Sequence, residues 1–227
     1  MRTHSQSPLP RRAYVSGPAP LSRRERHCAA IRQRLFDAAM RLFAERGFTA
    51  TTVENITDAA DVGKGTFFNY FPSKEELLTS FGDLRIGKIR AALEEVERGG
   101  ESVVAVLRRL YVSLGEDPGR SPELARGMLL TMLSSEVVRL KVCTRFAQGH
   151  VMMNKIFKIA QARGEVRRDV PAADLARSFK ESYLGSLLAW SIAPSSRLGP
   201  AFQRAFEHFW SAAASKPAHN EKKGSER

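Results

Sequence analysis

Residues 51–74 constrain the fold of this chain more than any other stretch, because they place two helix signals on either side of a tight turn. At the start of the stretch, Thr51 and Glu54 have the spacing of a capping box, in which each side chain satisfies a free backbone N–H group at a helix start. The pattern therefore predicts a short helix that begins near Thr51. The apolar residues of this helix recur at helical spacing on one face: Val53, Ile56 and Ala60.

Residues 61–63, Asp-Val-Gly, predict a break after this helix. Aspartate tolerates the left-handed backbone conformation better than most residues do, and Gly63 can cap the helix that follows. In that second helix, over residues 64–71, Phe67 and Phe71 lie four residues apart on the side that would pack inward. A short helix with one buried face and small, polar and aromatic residues outside is typical of a recognition helix in the DNA major groove. The outward side carries Lys64, Gly65, Phe68 and Asn69.

Over about residues 30–80 the chain resembles the TetR family of bacterial transcriptional regulators. Beyond this region the resemblance consists of helix content and a Gly-Glu-Val-Arg-x-Asp-Val-Pro phrase at 164–171. The shared motifs are Thr-Thr-Val-x-x-Ile at 51–56, Gly-Thr-aromatic-aromatic-x-Tyr-Phe at 65–71 and Ser-Lys-Glu-x-Leu at 73–77.

Three positions of the motif depart from the family pattern. Phe68 stands where the family often has tyrosine, so a hydroxyl contact is missing there. Asp61 replaces a common glycine, and Gly63 replaces a common serine that would bind a phosphate. The resemblance nevertheless implies a homodimer that binds double-stranded DNA and a small-molecule effector.

We expect the second helix to read base edges, while residues around it hold phosphates. Lys64 would donate to a guanine edge or to a phosphate, and Asn69 would read an adenine. Gly65 would let the backbone approach closely, and Phe68 would contact a thymine methyl group. The side chains expected at phosphates are those of Thr51, Thr52, Thr66, Tyr70 and Lys74.

The charge of the chain also favours a polyanion as partner. The formal net charge is +12, and the first 46 residues contain ten arginines against three acidic residues. A soluble basic surface would explain this charge equally well without the motif. Next to a helix-turn-helix signal, the charge favours DNA.

Other classes of protein find little support. Cys28 and Cys143 lie far apart and neither has a second Cys nearby, although His27 precedes Cys28; such cysteine usage is typical of a reducing compartment. The five histidines show no metal-ligand spacing, and the chain has no nucleophile-elbow motif. No apolar run approaches the ~20 residues of a membrane span, and the N-terminus lacks an apolar signal core. We expect a cytoplasmic protein that makes no membrane contact, uses no metal or cofactor and is not an enzyme.

The predicted fold is all-α, because helical apolar spacing continues along the chain and no useful strand alternation appears. We divide the chain into a disordered basic extension at 1–22, a three-helix helix-turn-helix domain at 23–72, a larger helical effector-binding and dimerisation domain at 73–214, and a mobile tail at 215–227. The proline-rich extension is either a dispensable tail or a basic arm that follows phosphates or the minor groove. Proline and glycine punctuation predicts long helices at 23–46, 74–98, 101–115, 121–134, 136–163, 171–193 and 198–214.

The last two predicted helices carry more apolar side chains than one buried face requires. Two such helices from each subunit would form a four-helix interface, which the family resemblance implies and which suits palindromic DNA. The alternative is that these side chains complete the core of a monomer. The expected interface residues are Leu184, Leu188, Phe202, Phe206 and Phe209.

Methionines and aromatic residues in the second domain are candidates for an effector pocket, because such side chains adapt to varied ligands. The resemblance implies the pocket, and an ordinary packed core is the alternative. The candidates are Phe81, Leu84, Met128, Met132, Phe146, His150, Met153, Phe157, Phe179, Tyr183 and Trp190.

The sequence thus predicts a homodimeric, sequence-specific regulator, and family analogy favours a repressor that an effector releases from a palindromic operator. Effector binding would shift the helix at 74–98 and spread the two recognition helices. The alternative is a small-molecule-binding or scaffold protein with non-specific DNA affinity.

Overall fold

The computed structural model describes residues 22–194 and 198–215, without the side chains of residues 78–81. Within these ranges every regular element is a helix, apart from an isolated bridge between Val166 and Ala214. The predicted all-α fold is confirmed. The helices are α1 (Arg23–Arg46), α2 (Val53–Ala59), α3 (Lys64–Tyr70), α4 (Lys74–Arg98), α5 (Val103–Gly115), α6 (Pro122–Ser134), α7 (Glu136–Ala162), α8 (Ala172–Ile192) and α9 (Leu198–Ala213), with a 3₁₀ turn at Pro118–Arg120.

Local capping explains where several helices begin and end. Ser22 and Glu25 form a capping box at the start of α1, and Ser73 accepts a hydrogen bond from Glu76 N at the start of α4. Ser22 is the only part of the predicted 1–22 extension within the described residues, and Ser215 is the only part of the predicted 215–227 tail.

Two hydrophobic cores organise the helices. The first core joins α1, α2 and α3 to Leu77 of α4, Leu124 and Met128 of α6, and Val138 of α7. The second core lies among α4 to α9. Because α4, α6 and α7 supply side chains to both cores, the helix-turn-helix packs directly onto the larger helical bundle.

Aromatic rings fill the centre of the second core around the buried Tyr111. The ring centroids of Phe202 and Phe206 lie 5.3 and 5.7 Å from that of Tyr111. Both phenylalanines are essentially inaccessible to solvent, so their prediction as dimer-interface residues is wrong. Their face of α9 is buried against α5 and α8 of the same chain, which the pattern of α9 alone did not reveal.

Candidate DNA-binding surface and effector pocket

The turn between α2 and α3 has the backbone geometry that the sequence predicts. Asp61 adopts a φ of 50°, and Gly63 is the N-cap residue of α3. A contact from outside the motif holds the turn: the Arg34 guanidinium on α1 donates to the backbone oxygens of Ala60 and Asp61. Nothing in the local sequence pattern identifies this arginine, because it lies about one helix away along the chain.

The two sides of α3 differ as predicted. Phe67 and Phe71 are fully buried in the first core, with ring centroids 5.7 Å apart. The opposite side is exposed to solvent, and 47% of Phe68 is accessible. A Cβ added to Gly65 would meet nothing within 4 Å, so the fold does not require glycine there. The exposed residues are Lys64, Gly65, Phe68 and Asn69.

Lys64 forms an ion pair across the motif with Glu54 of α2. The hydrogen bond from the Lys64 ammonium lowers the pKa of the Glu54 carboxyl. Both side chains are more than half exposed, and water and salt screen such surface pairs strongly. The pair therefore positions Lys64 but is weak enough for a nucleic-acid contact to replace it.

One predicted phosphate contact must be corrected. Thr51 is fully buried, and its hydroxyl donates to the backbone oxygens of Leu42 and Gly47 at 3.3 and 2.8 Å. The capping box at the start of α2 instead consists of Thr52 and Asn55, each of which accepts from the other's backbone N–H at 3.2 and 3.1 Å. The shift by one residue turns Thr51 inward, so its hydroxyl cannot reach DNA.

Lys74 is largely committed within the protein. Its ammonium donates to the oxygens of Phe48 and Thr51 at 2.8 and 3.0 Å, and it lies 4.4 Å from the centroid of the Phe48 ring. This side chain therefore ties the start of α4 to the loop between α1 and α2. Because Lys74 is only half-buried and its ammonium has a third N–H, its contact with a phosphate stays a prediction.

The other predicted phosphate contacts lie at or near the surface. Thr52 is exposed, whereas Thr66 and Tyr70 are half-buried. A hydrogen bond with the Cys28 thiol of α1 raises the pKa of the Tyr70 hydroxyl. Contacts of these three residues with DNA stay predictions.

A cavity of about 100 Å³ lies among α4, α6, α7 and α8. Ligand sites commonly measure about 300–1,000 Å³, so a larger molecule would have to displace lining side chains. Methionines are well suited to that movement. The predicted candidates that line the cavity are Met128, Met132, Phe146, His150, Met153, Phe179 and Tyr183.

Three other predicted pocket residues lie elsewhere. Leu84 is 59% exposed and does not line the cavity. Phe157 is fully buried in the second core, with its ring 6.2 Å from that of Phe179, and Trp190 belongs to the same core. The side chain of Phe81 lies outside the described residues. Helical spacing predicts which apolar residues share one face, but not which of them border a cavity.

Cationic side chains in the cavity wall are the feature that the sequence analysis missed. Arg85, Lys141, Arg145 and Lys180 line the cavity, and no carboxylate of residues 22–194 or 198–215 does. Lys141 pairs with Glu76, and Arg145 pairs with Asp83 at 2.5 Å. The buried Arg145 Nε–H has no acceptor among the described residues, a state that costs about 1–3 kcal/mol.

Tyr183 closes one side of the cavity and is nearly inaccessible to solvent. Its hydroxyl donates to the Leu114 oxygen at 2.8 Å, and burial raises its pKa. The Arg85 guanidinium lies 4.5 Å from the centroid of its ring. Tyr183 thus contributes an uncharged ring, held in place by its hydrogen bond, and the Arg85 guanidinium lies over this ring.

The sequence matches two family profiles that together span both cores. Residues 35–81 match "Bacterial regulatory proteins, tetR family", and residues 85–207 match "TetR/AcrR family transcriptional repressors, C-terminal domain". The chain belongs to the TetR family. Its members are transcriptional regulators and not enzymes. Within the described part of this TetR-family chain, no helix is long and apolar enough to cross a membrane.

Characterised members of the TetR family resemble most of the chain. The transcriptional repressor KstR of Mycobacterium tuberculosis is 28% identical over 70% of this chain and 70% of its own length. The repressor DhaR of a Mycobacterium species is 29% identical over 71% of this chain and 83% of its own length.

Solved structures of the TetR family share the fold. FadR of Thermus thermophilus in complex with lauroyl-CoA is 29% identical, with a TM-score of 0.56, over 83% of this chain and 97% of that one. A regulator from Marinobacter aquaeolei has a TM-score of 0.59 at 24% identity, over 84% of this chain and 99% of that one.

Proposed function

We propose that this TetR-family protein is a homodimeric repressor that binds a palindromic operator and leaves it when a small molecule occupies the cavity. The observation that carries the proposal is the division of α3 into a buried phenylalanine face and an exposed face of Lys64, Gly65, Phe68 and Asn69. Repression is favoured because KstR and DhaR are both repressors. The protein would act in the cytoplasm, where bacterial DNA lies.

In this proposal the exposed face of α3 reads bases in the major groove. Asn69 pairs with an adenine edge, and Lys64 leaves Glu54 for a guanine edge or a phosphate. Phe68 packs on a thymine methyl group. Glycine at position 65 would be explained by close approach to DNA, since an added Cβ there meets no atom of the described residues within 4 Å.

The proposed dimer forms through the solvent-exposed face of α8. Leu188 and Ile192 are 47% and 70% exposed, and they follow Gly185 on the same face. Of the other predicted interface residues, Leu184 is partly buried against the second core, and the Phe209 ring packs 5.5 Å from that of Phe179. A second copy of α8 would cover the exposed apolar residues, as a twofold interface requires.

A charged substitution on α8 tests this dimer. Leu188→Arg should convert the protein from dimer to monomer in sedimentation experiments, because the arginine would be buried without a partner. Leu133→Arg is the matched control, since Leu133 is 72% exposed at the end of α6. A Leu188→Arg protein that stays dimeric, or a control that dissociates, would contradict this interface.

Release from DNA is proposed to act through α4 and α6 together. Three residues separate the end of α3 from the start of α4, and α4 lines the cavity through Arg85, Ile86 and Ile89. Met128 of α6 both lines the cavity and packs in the first core. A ligand that displaces Met128 would therefore disturb the packing of the helix-turn-helix and favour a state that fits DNA less well.

Selection from randomised duplexes, followed by binding assays on single-base variants, tests the DNA-binding role. We expect a palindrome with half-sites about one helical turn apart. Asn69→Ala should change the binding preference at one base pair per half-site by about 1–3 kcal/mol. The control Gln203→Ala, which removes an exposed amide from α9, should leave the preference at every base pair unchanged. Uniform weakening by Asn69→Ala, or selection without any consensus, would favour the alternative of a scaffold with non-specific DNA affinity.

A further inference from the structure

We propose that the effector is an amphipathic anion, with an apolar tail among the methionines and phenylalanines and a carboxylate or phosphate held by Arg85 and Lys180. The proposal rests on the function proposed above, because it names the ligand of the same cavity. Its first support is the charge of the cavity wall, which in the described part of the chain combines an apolar lining with four cations and no carboxylate.

Arg85 and Lys180 are the two cations of the wall that lack a countercharge. Among the described residues, neither has a carboxylate within salt-bridge distance; each lies instead against an aromatic ring, Arg85 over Tyr183 at 4.5 Å and Lys180 over Phe146 at 5.6 Å. By contrast, Lys141 and Arg145 have Glu76 and Asp83 as partners. Half-buried cations without an anion attract a negative ligand and disfavour a positive one.

The placement of these two cations links the head group to two helices. Arg85 belongs to α4 and Lys180 to α8, and both line the same cavity. An anion bound between them would draw α4 toward α8, while its tail displaced methionines of α6 and α7. Arg145 also lines the cavity, and its buried Nε–H has no acceptor within the described residues, so it is a third possible donor to the ligand.

Four probes with a chain of twelve carbons test the class of ligand: dodecanoate, dodecanoyl-coenzyme A, dodecanol and dodecyltrimethylammonium. Binding to the full chain is measured by calorimetry below the concentrations at which the probes form micelles. We expect at least one of the two anions to bind 10-fold or more tightly than the alcohol, and the ammonium probe to bind most weakly. The comparison of the two anions distinguishes a free carboxylate from a phosphate-bearing thioester as the source of the charge.

Substitutions of Arg85 and Lys180 test whether these side chains bind the charged head group. Arg85→Gln and Lys180→Gln should each weaken binding of the preferred anion by about 10- to 100-fold, as expected for loss of a charged hydrogen-bond donor, and should leave dodecanol unaffected. Arg85→Lys and Lys180→Arg keep the charge and should keep most of the affinity. The matched controls Arg90→Gln on α4 and Arg177→Gln on α8 remove the same charge outside the cavity and should change nothing.

Several results would overturn the proposal: equal binding of alcohol and anions, tighter binding of the ammonium probe, no binding of any probe, or unchanged affinity in both glutamine variants. Operator binding without any probe is measured on the same samples. A failure of the anion site can therefore be distinguished from a failure of the proposed DNA-binding function. Selective anion binding with no loss of operator binding would refute release by this ligand but not the anion site. Operator binding without anion binding would refute only the anion site.

Discussion

The contact between α1 and α6 leads to a quantitative prediction about how the helix-turn-helix is attached. At Gly127 on α6, an added Cβ would lie 2.8 Å from the Met40 oxygen and 2.9 Å from the Ala44 nitrogen. Both are backbone atoms of α1, so rotation of a side chain cannot relieve the overlap. The Gly127→Ala variant must therefore push α1 and α6 apart.

The expected cost follows from two opposing effects. Overpacking of this kind costs about 1–3 kcal/mol, whereas replacing glycine by alanine in a helix gains about 0.8–1 kcal/mol. Gly87→Ala on α4 isolates the second effect, because an added Cβ at Gly87 meets nothing within 4 Å. We expect Gly87→Ala to stabilise the protein and Gly127→Ala to be about 1–3 kcal/mol less stable than Gly87→Ala.

Urea unfolding at one fixed protein concentration measures this difference, because the stability of the proposed dimer would depend on concentration. The free energies of unfolding are compared at equal slopes, so that a change in the exposed surface is not mistaken for a change in stability. Equal free energies for the two variants within about 0.5 kcal/mol would refute the argument. Such a result would mean that α1 and α6 are not packed as closely as the backbone distances indicate.

Two further predictions concern buried hydroxyl groups. Thr51→Val keeps the shape of the side chain but leaves the Leu42 and Gly47 oxygens without this donor. It should lower the free energy of unfolding in urea by about 1–3 kcal/mol. The control Thr144→Val, on the exposed side of α7, should lower it by less than about 0.5 kcal/mol. Because burial raises the pKa of Tyr183, its contribution to stability is fully present below the ordinary tyrosine pKa of about 10 and is lost as the pH rises beyond it. In the Tyr183→Phe variant the free energy of unfolding should therefore fall less steeply as the pH rises through this alkaline range. A pH dependence equal to that of the unmodified protein would contradict this role of burial.

Local sequence was sufficient to predict the helices and the two faces of α3. Capping residues, glycine stops and the 3.6-residue spacing act within one or two turns, so the bounds of α1 and α4 agree with the structure. The inward Phe67 and Phe71 and the outward Lys64 and Asn69 follow from the same spacing. Even here a shift of one residue, from Thr51 to Thr52 as the cap, moved a hydroxyl from the expected surface into the core.

Contacts between residues far apart in the chain could not be predicted in this way. Lys74 reaches back to Phe48, Arg34 holds the turn at Asp61, and Phe202 packs on Tyr111 rather than on a second subunit. The cavity also depends on how α4, α6, α7 and α8 cross. Arg85 and Lys180 therefore line the same cavity, although no pattern in the sequence indicates this. Spacing along a helix assigns a residue to a face, but only the packing of other helices determines whether that face meets protein, solvent or a ligand.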